Sequence, residues 1–129
     1  VGMAQVGIIV TGGLVSRALF AAKELEQEGI KTKVLNLSSI KPLDADSILK
    51  LAKETNALVT VEEHQVIGGM GSAVAEFISD NYPVLVERVG VQDQFGQSGT
   101  PDELIEHYGM GKDSIKEAVK KVLKLKKNS

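Results

Sequence analysis

Two hydrophobic spacings alternate along the chain, one typical of buried strands and the other of amphipathic helices. Nearly continuous apolar runs of strand length occupy residues 6–11, 33–37, 57–62 and 84–89. Between these runs, apolar positions recur every three or four residues in segments 14–28 and 70–80, and another helix is predicted after Asp44. The pattern therefore predicts strands and helices in strict alternation.

Particular residues mark where the helices begin and end. Gly29 is typical of the left-handed residue that follows a helix C-terminus. Asp44 predicts an N-cap, because its carboxylate can accept a hydrogen bond from the first helical turn. The run Thr-Pro-Asp-Glu at residues 100–103 is a capping box that predicts a short helix closed by Gly109, and a last helix is expected from Asp113.

Alternating strands and helices imply a parallel sheet covered on both faces, because each crossover returns right-handed over the sheet. In the usual arrangement the first strand is central, the second lies on one side, and the third and fourth lie on the other. We therefore predict a three-layer α/β/α, doubly wound fold with a mainly parallel sheet. A crevice is expected where the winding reverses, between residues 11–13 and 62–71, and such folds bind ligands at that position.

The composition is that of an ordinary globular domain. The 129 residues are 43% hydrophobic and 25% charged, and no apolar stretch approaches the roughly 20 residues of a membrane span. This length predicts one domain. Because the chain has no cysteine, thiolate catalysis and cysteine-based metal sites are excluded, which fits a reducing cytoplasm. The chain begins with Val1 rather than methionine, which suggests a piece of something longer.

Charge is concentrated at the end of the sequence. Residues 112–129 hold seven lysines against Asp113 and Glu117, a balance of +5 in a chain whose net charge is −2. A nucleic-acid surface usually adds arginine and aromatic residues to its lysines, and this segment has neither. The pattern favours a solvated helix face with cations near a helix C-terminus.

The stretch from Thr60 to Glu76 carries the densest candidate chemistry. Gly68, Gly69, Gly71 and Ser72 could present backbone N–H groups and a helix N-terminus to an anion or a nucleotide. The turn lacks the third glycine of a dinucleotide fingerprint and the lysine of a P-loop. An alternative is structural, in which the glycines allow positive φ and close packing of the helix on the sheet.

Glu62, Glu63 and His64 suggest acid–base chemistry, but their spacing argues against it. Consecutive strand residues point to opposite faces, so the two carboxylates are not expected to converge on one substrate atom. The other histidine, His107, is far along the chain, and we predict no metal site. Ser72 lies beside a glycine but in no Gly-x-Ser-x-Gly elbow. The residues therefore form no complete catalytic site.

Three motifs together resemble a known family. They are IIVTGGLVSRALFAAKELEQEGIKTKVLNLSSIKPLD, TVEEHQVIGGMGSAVAE and ERVGVQDQFGQSGTPDELIEHYGM, in that order. They are similar to the C-terminal domain of the transketolase family of thiamine-diphosphate enzymes, whose relatives include 1-deoxyxylulose-5-phosphate synthase and the β subunit of 2-oxo-acid dehydrogenase E1. The resemblance covers residues 6–122. It implies a sheet of four to five strands, in which one short antiparallel strand precedes the others, and the chain begins too late to supply all of that strand.

The resemblance also implies a division of labour. Thiamine diphosphate and Mg²⁺ would be held by other domains of a parent transketolase, an enzyme of the pentose phosphate pathway that moves a two-carbon ketol unit between sugar phosphates. This segment would hold no cofactor, be inactive alone and support a homodimer by contacting the other domains or an N-terminal subunit. None of the matching positions is a known catalytic residue of the family. The positions that match are Glu62, Glu63, His64, Gly68, Gly69 and Gly71.

Two hypotheses follow for the stretch from Thr60 to Glu76. In the first, Glu63 and His64 contact a neighbouring domain or the long loop predicted from Gly90 to Gly99, and the chain is a non-catalytic module. In the second, the glycine turn at residues 68–72 is an independent small-anion or nucleotide site. An exposed apolar patch would favour the first hypothesis, because a domain that normally has neighbours should show the surface that they cover.

Overall fold

The centre of the fold is a four-stranded parallel sheet. The computed structural model describes residues 3–37, 43–63, 69–91 and 111–127. The strands are β1 (Val6–Val10), β2 (Thr32–Asn36), β3 (Ala57–Glu63) and β4 (Leu85–Val91), in the spatial order β2-β1-β3-β4. All three pairings are parallel, which confirms the predicted doubly wound order. The structure describes no antiparallel strand in these four ranges.

Four α-helices cover the sheet. They are α1 (Val15–Gln27), α2 (Ala45–Thr55), α3 (Met70–Asn81) and α4 (Lys112–Lys127), and a 3-10 helix (Gly12–Leu14) precedes α1. Helices α1 and α4 pack together on one face, and α2 and α3 pack together on the other. The three-layer prediction is therefore confirmed. Within the described ranges, no helix has both the length and the apolar character that crossing a membrane requires.

The central position of β1 in the sheet explains why its sequence is almost uniformly apolar. Every one of its residues is buried, because a central parallel strand has a helix layer on each side. Ile8 and Val10 join the cluster under α1 and α4, whereas Ile9 joins the cluster under α2 and α3. The carboxyl end of β1 is thus fixed from both faces, and it forms one wall of the predicted crevice.

Two predicted helix ends are confirmed by their hydrogen bonds. Gly29 has φ of +85°, and the N–H groups of Gly29 and Ile30 donate to the carbonyls of Glu26 and Leu25, which is the Schellman pattern. The Asp44 carboxylate accepts a hydrogen bond from the Ser47 N–H at the start of α2. The helix predicted from the capping box at residues 100–103 lies outside the described residues.

Some predicted boundaries were wrong by one or two residues. Strand β2 begins and ends one residue earlier than predicted. Strand β4 continues to Val91, so Gly90, predicted as the start of a loop, lies within the strand. The reason is register, because Glu62 and Glu63 of β3 pair with Gly90 and Val91 and extend both strands together. Strands β3 and β4 therefore extend farther at their carboxyl ends than the apolar runs predict.

The lysine-rich segment is only partly the solvated face that was predicted. Lys112 and Lys116 of α4 contact Glu24 of α1, while Lys116 and Lys120 contact Glu28. These five residues form an ion-pair strip between the two helices. Hydrogen bonds from Lys116 and, to a smaller extent, from Lys120 lower the pKa of Glu28 to about 2.

The other members of the strip are shifted in the matching directions. Hydrogen bonds from Lys112 and Lys116 hold the pKa of Glu24 below its usual value. Hydrogen bonds to Glu28 and, to a smaller extent, to Glu24 raise the pKa of Lys116. Three of the lysines that were predicted to face solvent, Lys112, Lys116 and Lys120, therefore form ion pairs between the last helix and the first.

Candidate functional site

The carboxyl ends of β1 and β3 lie side by side where the winding of the sheet reverses. Strand β1 leads through the 3-10 helix into α1, and β3 leads through residues 64–68, outside the described ranges, towards α3. The strand ends from which the two predicted crevice walls begin are thus neighbours, with Val10 paired to Val61. Such a junction is where open α/β folds bind ligands.

Glu62, near the end of β3, is buried and forms a hydrogen bond within the fold. Its side chain is only 3% exposed, on the face covered by α3, and its Oε1 accepts a hydrogen bond from the Met70 N–H at 2.7 Å. Met70 is the first residue of α3, so the carboxylate satisfies a backbone donor that has no partner within the helix. A negative charge at this helix end also opposes the positive end of the helix dipole.

Gly71 allows α3 to approach β3 closely. A Cβ at this position would lie 2.6 Å from Glu62 Oε2 and 3.1 Å from Thr60 Oγ1. The first distance is shorter than real Cβ contacts allow. The predicted structural role of close packing is therefore supported at Gly71, whereas positive φ is not needed at Gly69, whose φ is −73°.

Polar side chains surround the first turn of α3. Arg88 of β4 donates from Nη1 to Ser72 Oγ at 3.2 Å. Thr60, which pairs with Arg88 across the two strands, is fully buried. Its Oγ1 finds no hydrogen-bond partner in the described part of the chain. A hydroxyl, a guanidinium and a helix N-terminus therefore lie close to the Glu62 carboxylate.

The predicted site residues have different positions. Glu63 is half-buried and follows Glu62 in an extended strand, so the two carboxylates point to opposite faces, as predicted. Gly69 is the N-cap of α3, and Gly71 and Ser72 lie in its first turn. His64 and Gly68 lie outside the described residues. Of the predicted site residues that the structure describes, Gly71 lies against the Glu62 side chain, and Ser72 accepts a hydrogen bond from Arg88 beside it.

Sequence reasoning did not single out Glu62, Thr60 and Arg88 as one cluster. The strand alternation identified that Glu62 and Glu63 diverge, but it did not tell which of them is covered by a helix. The missing signal is Gly71, because a glycine in the first turn of a helix after an acidic strand end marks a close contact. Within the four described ranges, no group of three or more His, Asp or Glu side chains could hold a metal ion.

The outer side of α1 carries exposed apolar side chains. Leu19 is 54% exposed and Phe20 is 46% exposed. Leu19, Ala22 and Met3 also line a groove of about 690 Å³ beside β2, which has charged side chains as well: Lys23, Glu26, Lys31, Lys33 and Glu54. The module hypothesis expects exposed apolar side chains such as Leu19 and Phe20.

The fold and this edge define a doubly wound α/β domain that uses the buried carboxylate at its switch point for its own structure. The chain belongs to the transketolase C-terminal domain family, because the family described as "Transketolase, C-terminal domain" matches residues 3–115. The resemblance of the three motifs is therefore confirmed.

Individual relatives agree with this membership. The chain is 45% identical over 122 residues to 6-deoxy-6-sulfo-D-fructose transketolase subunit SqwH of Clostridium sp. (strain MSTE9), covering 95% of this chain and 38% of that protein. It is 40% identical over 112 residues to 1-deoxy-D-xylulose-5-phosphate synthase of Heliobacterium modesticaldum, covering 86% of this chain and 17% of that protein.

A solved structure is also similar. It is described as "Split gene transketolase, inactive beta4 tetramer", with a TM-score of 0.77 and 47% identity, and the match covers 96% of this chain and 41% of that one. The chain thus spans about two-fifths or less of these three proteins.

Proposed function

We propose that residues 1–129 form the C-terminal, non-catalytic domain of a transketolase that transfers a two-carbon ketol unit between sugar phosphates. In this proposal the segment is inactive alone and supports the assembly of the parent enzyme as a homodimer. Family membership supports the class of enzyme. Thiamine diphosphate and Mg²⁺ would be held by the other domains or by an N-terminal subunit.

The observation that carries the non-catalytic role is the hydrogen bond between Glu62 and Met70. Glu62 is a buried acid at the edge where such folds bind ligands. A general acid or base has to reach the reacting atom of a substrate. The Glu62 carboxylate instead accepts the Met70 N–H and packs against Gly71.

The relatives support association of this chain with other domains or subunits. A structure 47% identical to this chain is described as an inactive tetramer of a split-gene transketolase, and a relative 45% identical is described as a transketolase subunit. The exposed Leu19 and Phe20 offer an apolar surface for a neighbouring part of the enzyme. We assign Glu63, His64, Gly68 and Gly69 to the edge that contacts such a neighbour, with Gly71 and Ser72 behind it.

The test is kinetic and uses the complete enzyme that contains this chain. General acid–base groups contribute about 10²–10⁴-fold to rates. We expect Glu63→Gln, His64→Gln and Ser72→Ala each to keep kcat for ketol transfer within about threefold of the wild type, because none contacts the reacting atoms.

Assembly and cofactor affinity are the necessary controls. Each variant is to be compared at equal fractions of assembled, thiamine-diphosphate-loaded enzyme. A loss of kcat of about 100-fold in an assembled and loaded Glu63→Gln or His64→Gln enzyme would be the size expected of a catalytic acid or base. That result would overturn the non-catalytic assignment.

A further inference from the structure

The first turn of α3 has the groups that proteins use to bind an oxyanion. The Met70 N–H is at the positive end of the helix dipole, and Ser72 and Arg88 add a hydroxyl and a guanidinium beside it. Independently, the buried Thr60 Oγ1 faces the same turn and lacks a hydrogen-bond partner among the described residues. Helix N–H groups, hydroxyls and guanidinium groups all favour bound negative charge.

A carboxylate already occupies this position. Glu62 Oε1 is 2.7 Å from the Met70 nitrogen, and Oε2 lies against Gly71, 2.6 Å from where a Cβ would be. Glu62 is 3% exposed and Met70 is 2% exposed, so an anion from solvent would have to displace the carboxylate to reach the Met70 N–H.

We propose that the start of α3 is an oxyanion site whose ligand is the Glu62 carboxylate itself. The intact chain then binds no external phosphate at the Met70 N–H, whereas a chain without this side chain accepts a small carboxylate there. The proposal does not depend on the proposed transketolase function, because it concerns only contacts within this chain. On this proposal, the Met70 N–H is not free to serve the anion or nucleotide site considered from the sequence at residues 68–72.

Formate is the appropriate probe. It has the two oxygens of the lost side chain and no further bulk, and the close contact at Gly71 leaves little room for a larger anion. The experiment measures the Tm of the wild type, Glu62→Ala and Glu63→Ala in sodium formate and in sodium chloride at equal ionic strength. Glu63→Ala is the matched control, because it removes the adjacent acid from the opposite face of β3.

We expect Glu62→Ala to lower the Tm in chloride and formate to restore part of the loss in a saturable manner. The wild type and Glu63→Ala should each have the same Tm in formate as in chloride. A folded Glu62→Ala chain with the same Tm in formate and chloride would overturn the proposal. So would a formate-specific rise of equal size in Glu63→Ala.

A second measurement covers the case in which Glu62→Ala does not fold. In the wild type, a titration with inorganic phosphate is followed by NMR at the backbone amides of Met70, Gly71 and Ser72. No saturable shift is expected, because the resident carboxylate occupies the site. A saturable shift confined to these amides would show that the turn binds an external anion beside Glu62, and the proposal would be wrong.

Discussion

At the scale of single residues, the contact between Gly71 and Glu62 sets the distance between α3 and the sheet. Glycine is a poorer helix former than alanine, by up to about 1 kcal/mol in a helix interior. Here the missing Cβ makes room for a buried carboxylate that holds the first N–H of α3. The local cost of glycine is therefore offset by a hydrogen bond to a charged group, which contributes roughly 1.5–3 kcal/mol.

Gly71→Ala should consequently destabilise the chain although alanine is the better helix former. A Cβ 2.6 Å from Glu62 Oε2 forces the carboxylate or the helix to move. We expect the free energy of unfolding, measured by urea denaturation, to fall by roughly 1–3 kcal/mol.

A double-mutant cycle identifies the cause of this loss. If the clash with the Glu62 side chain is responsible, Gly71→Ala should cost less in a Glu62→Ala background than in the wild type. An equal cost in both backgrounds would contradict the assigned contact, and so would a stabilised Gly71→Ala chain.

At the scale of whole elements, the ion-pair strip joins α4 to α1 across a large separation in sequence. Glu28, whose pKa is lowered to about 2, is charged in the folded chain at pH values where the unfolded carboxylate, with a pKa of 4.5, takes up a proton. A lowered folded pKa gives stability that is present above the unfolded pKa and is lost as the pH falls through the folded pKa.

The resulting prediction concerns the acid limb of the stability profile. Between pH 4.5 and about 2, Glu28→Gln should lose less stability on acidification than the wild type, as measured by Tm against pH. Glu26→Gln is the matched control, because Glu26 is exposed on the same helix and outside the strip. Parallel acid limbs for Glu28→Gln and the wild type would show that Glu28 contributes nothing to stability through the strip. Added salt should reduce the difference.

The start of α2 gives a second prediction at this scale. Asp44→Ala removes the acceptor for the Ser47 N–H and should lower the free energy of unfolding by about 1 kcal/mol. Asp44→Ser keeps a side-chain oxygen at the cap and should retain most of the stability in the same urea experiment. If both variants lose the same amount, the cap does not act through this hydrogen bond.

The elements that could be predicted are those whose signals are local. The apolar run of β1, the φ requirement at Gly29 and the Asp44 cap each depend on a few adjacent residues. The strip between α1 and α4 could not be predicted, since Lys112 and Glu24 are 88 residues apart in sequence and meet only in the tertiary structure. The same holds for Arg88 and Ser72, which lie on different elements. At the candidate site, alternation separated Glu62 from Glu63, but the covering helix decided which one is buried.

At the scale of the whole molecule, the exposed side chains of α1 are expected to meet another part of the enzyme. Leu19 is 54% exposed and borders the groove beside β2. In the complete enzyme, Leu19→Glu should weaken assembly by about tenfold or more, because a charge would be buried in an apolar contact. Analytical ultracentrifugation over a concentration series measures this effect.

Leu125→Glu is the control for that experiment. Leu125 is similarly exposed, but it lies on α4 and does not line the groove. We expect Leu125→Glu to assemble as the wild type does. Equal assembly of the Leu19→Glu and wild-type enzymes would show that Leu19 of α1 does not lie at the interface.

We expect this chain to support a transketolase without binding the cofactor itself. The most direct measurement is a calorimetric titration of thiamine diphosphate with Mg²⁺ into the 129-residue chain alone, and then into the complete enzyme. The prediction is saturable binding by the complete enzyme and only the heat of dilution with the chain alone. Micromolar binding of thiamine diphosphate by the chain alone would contradict it.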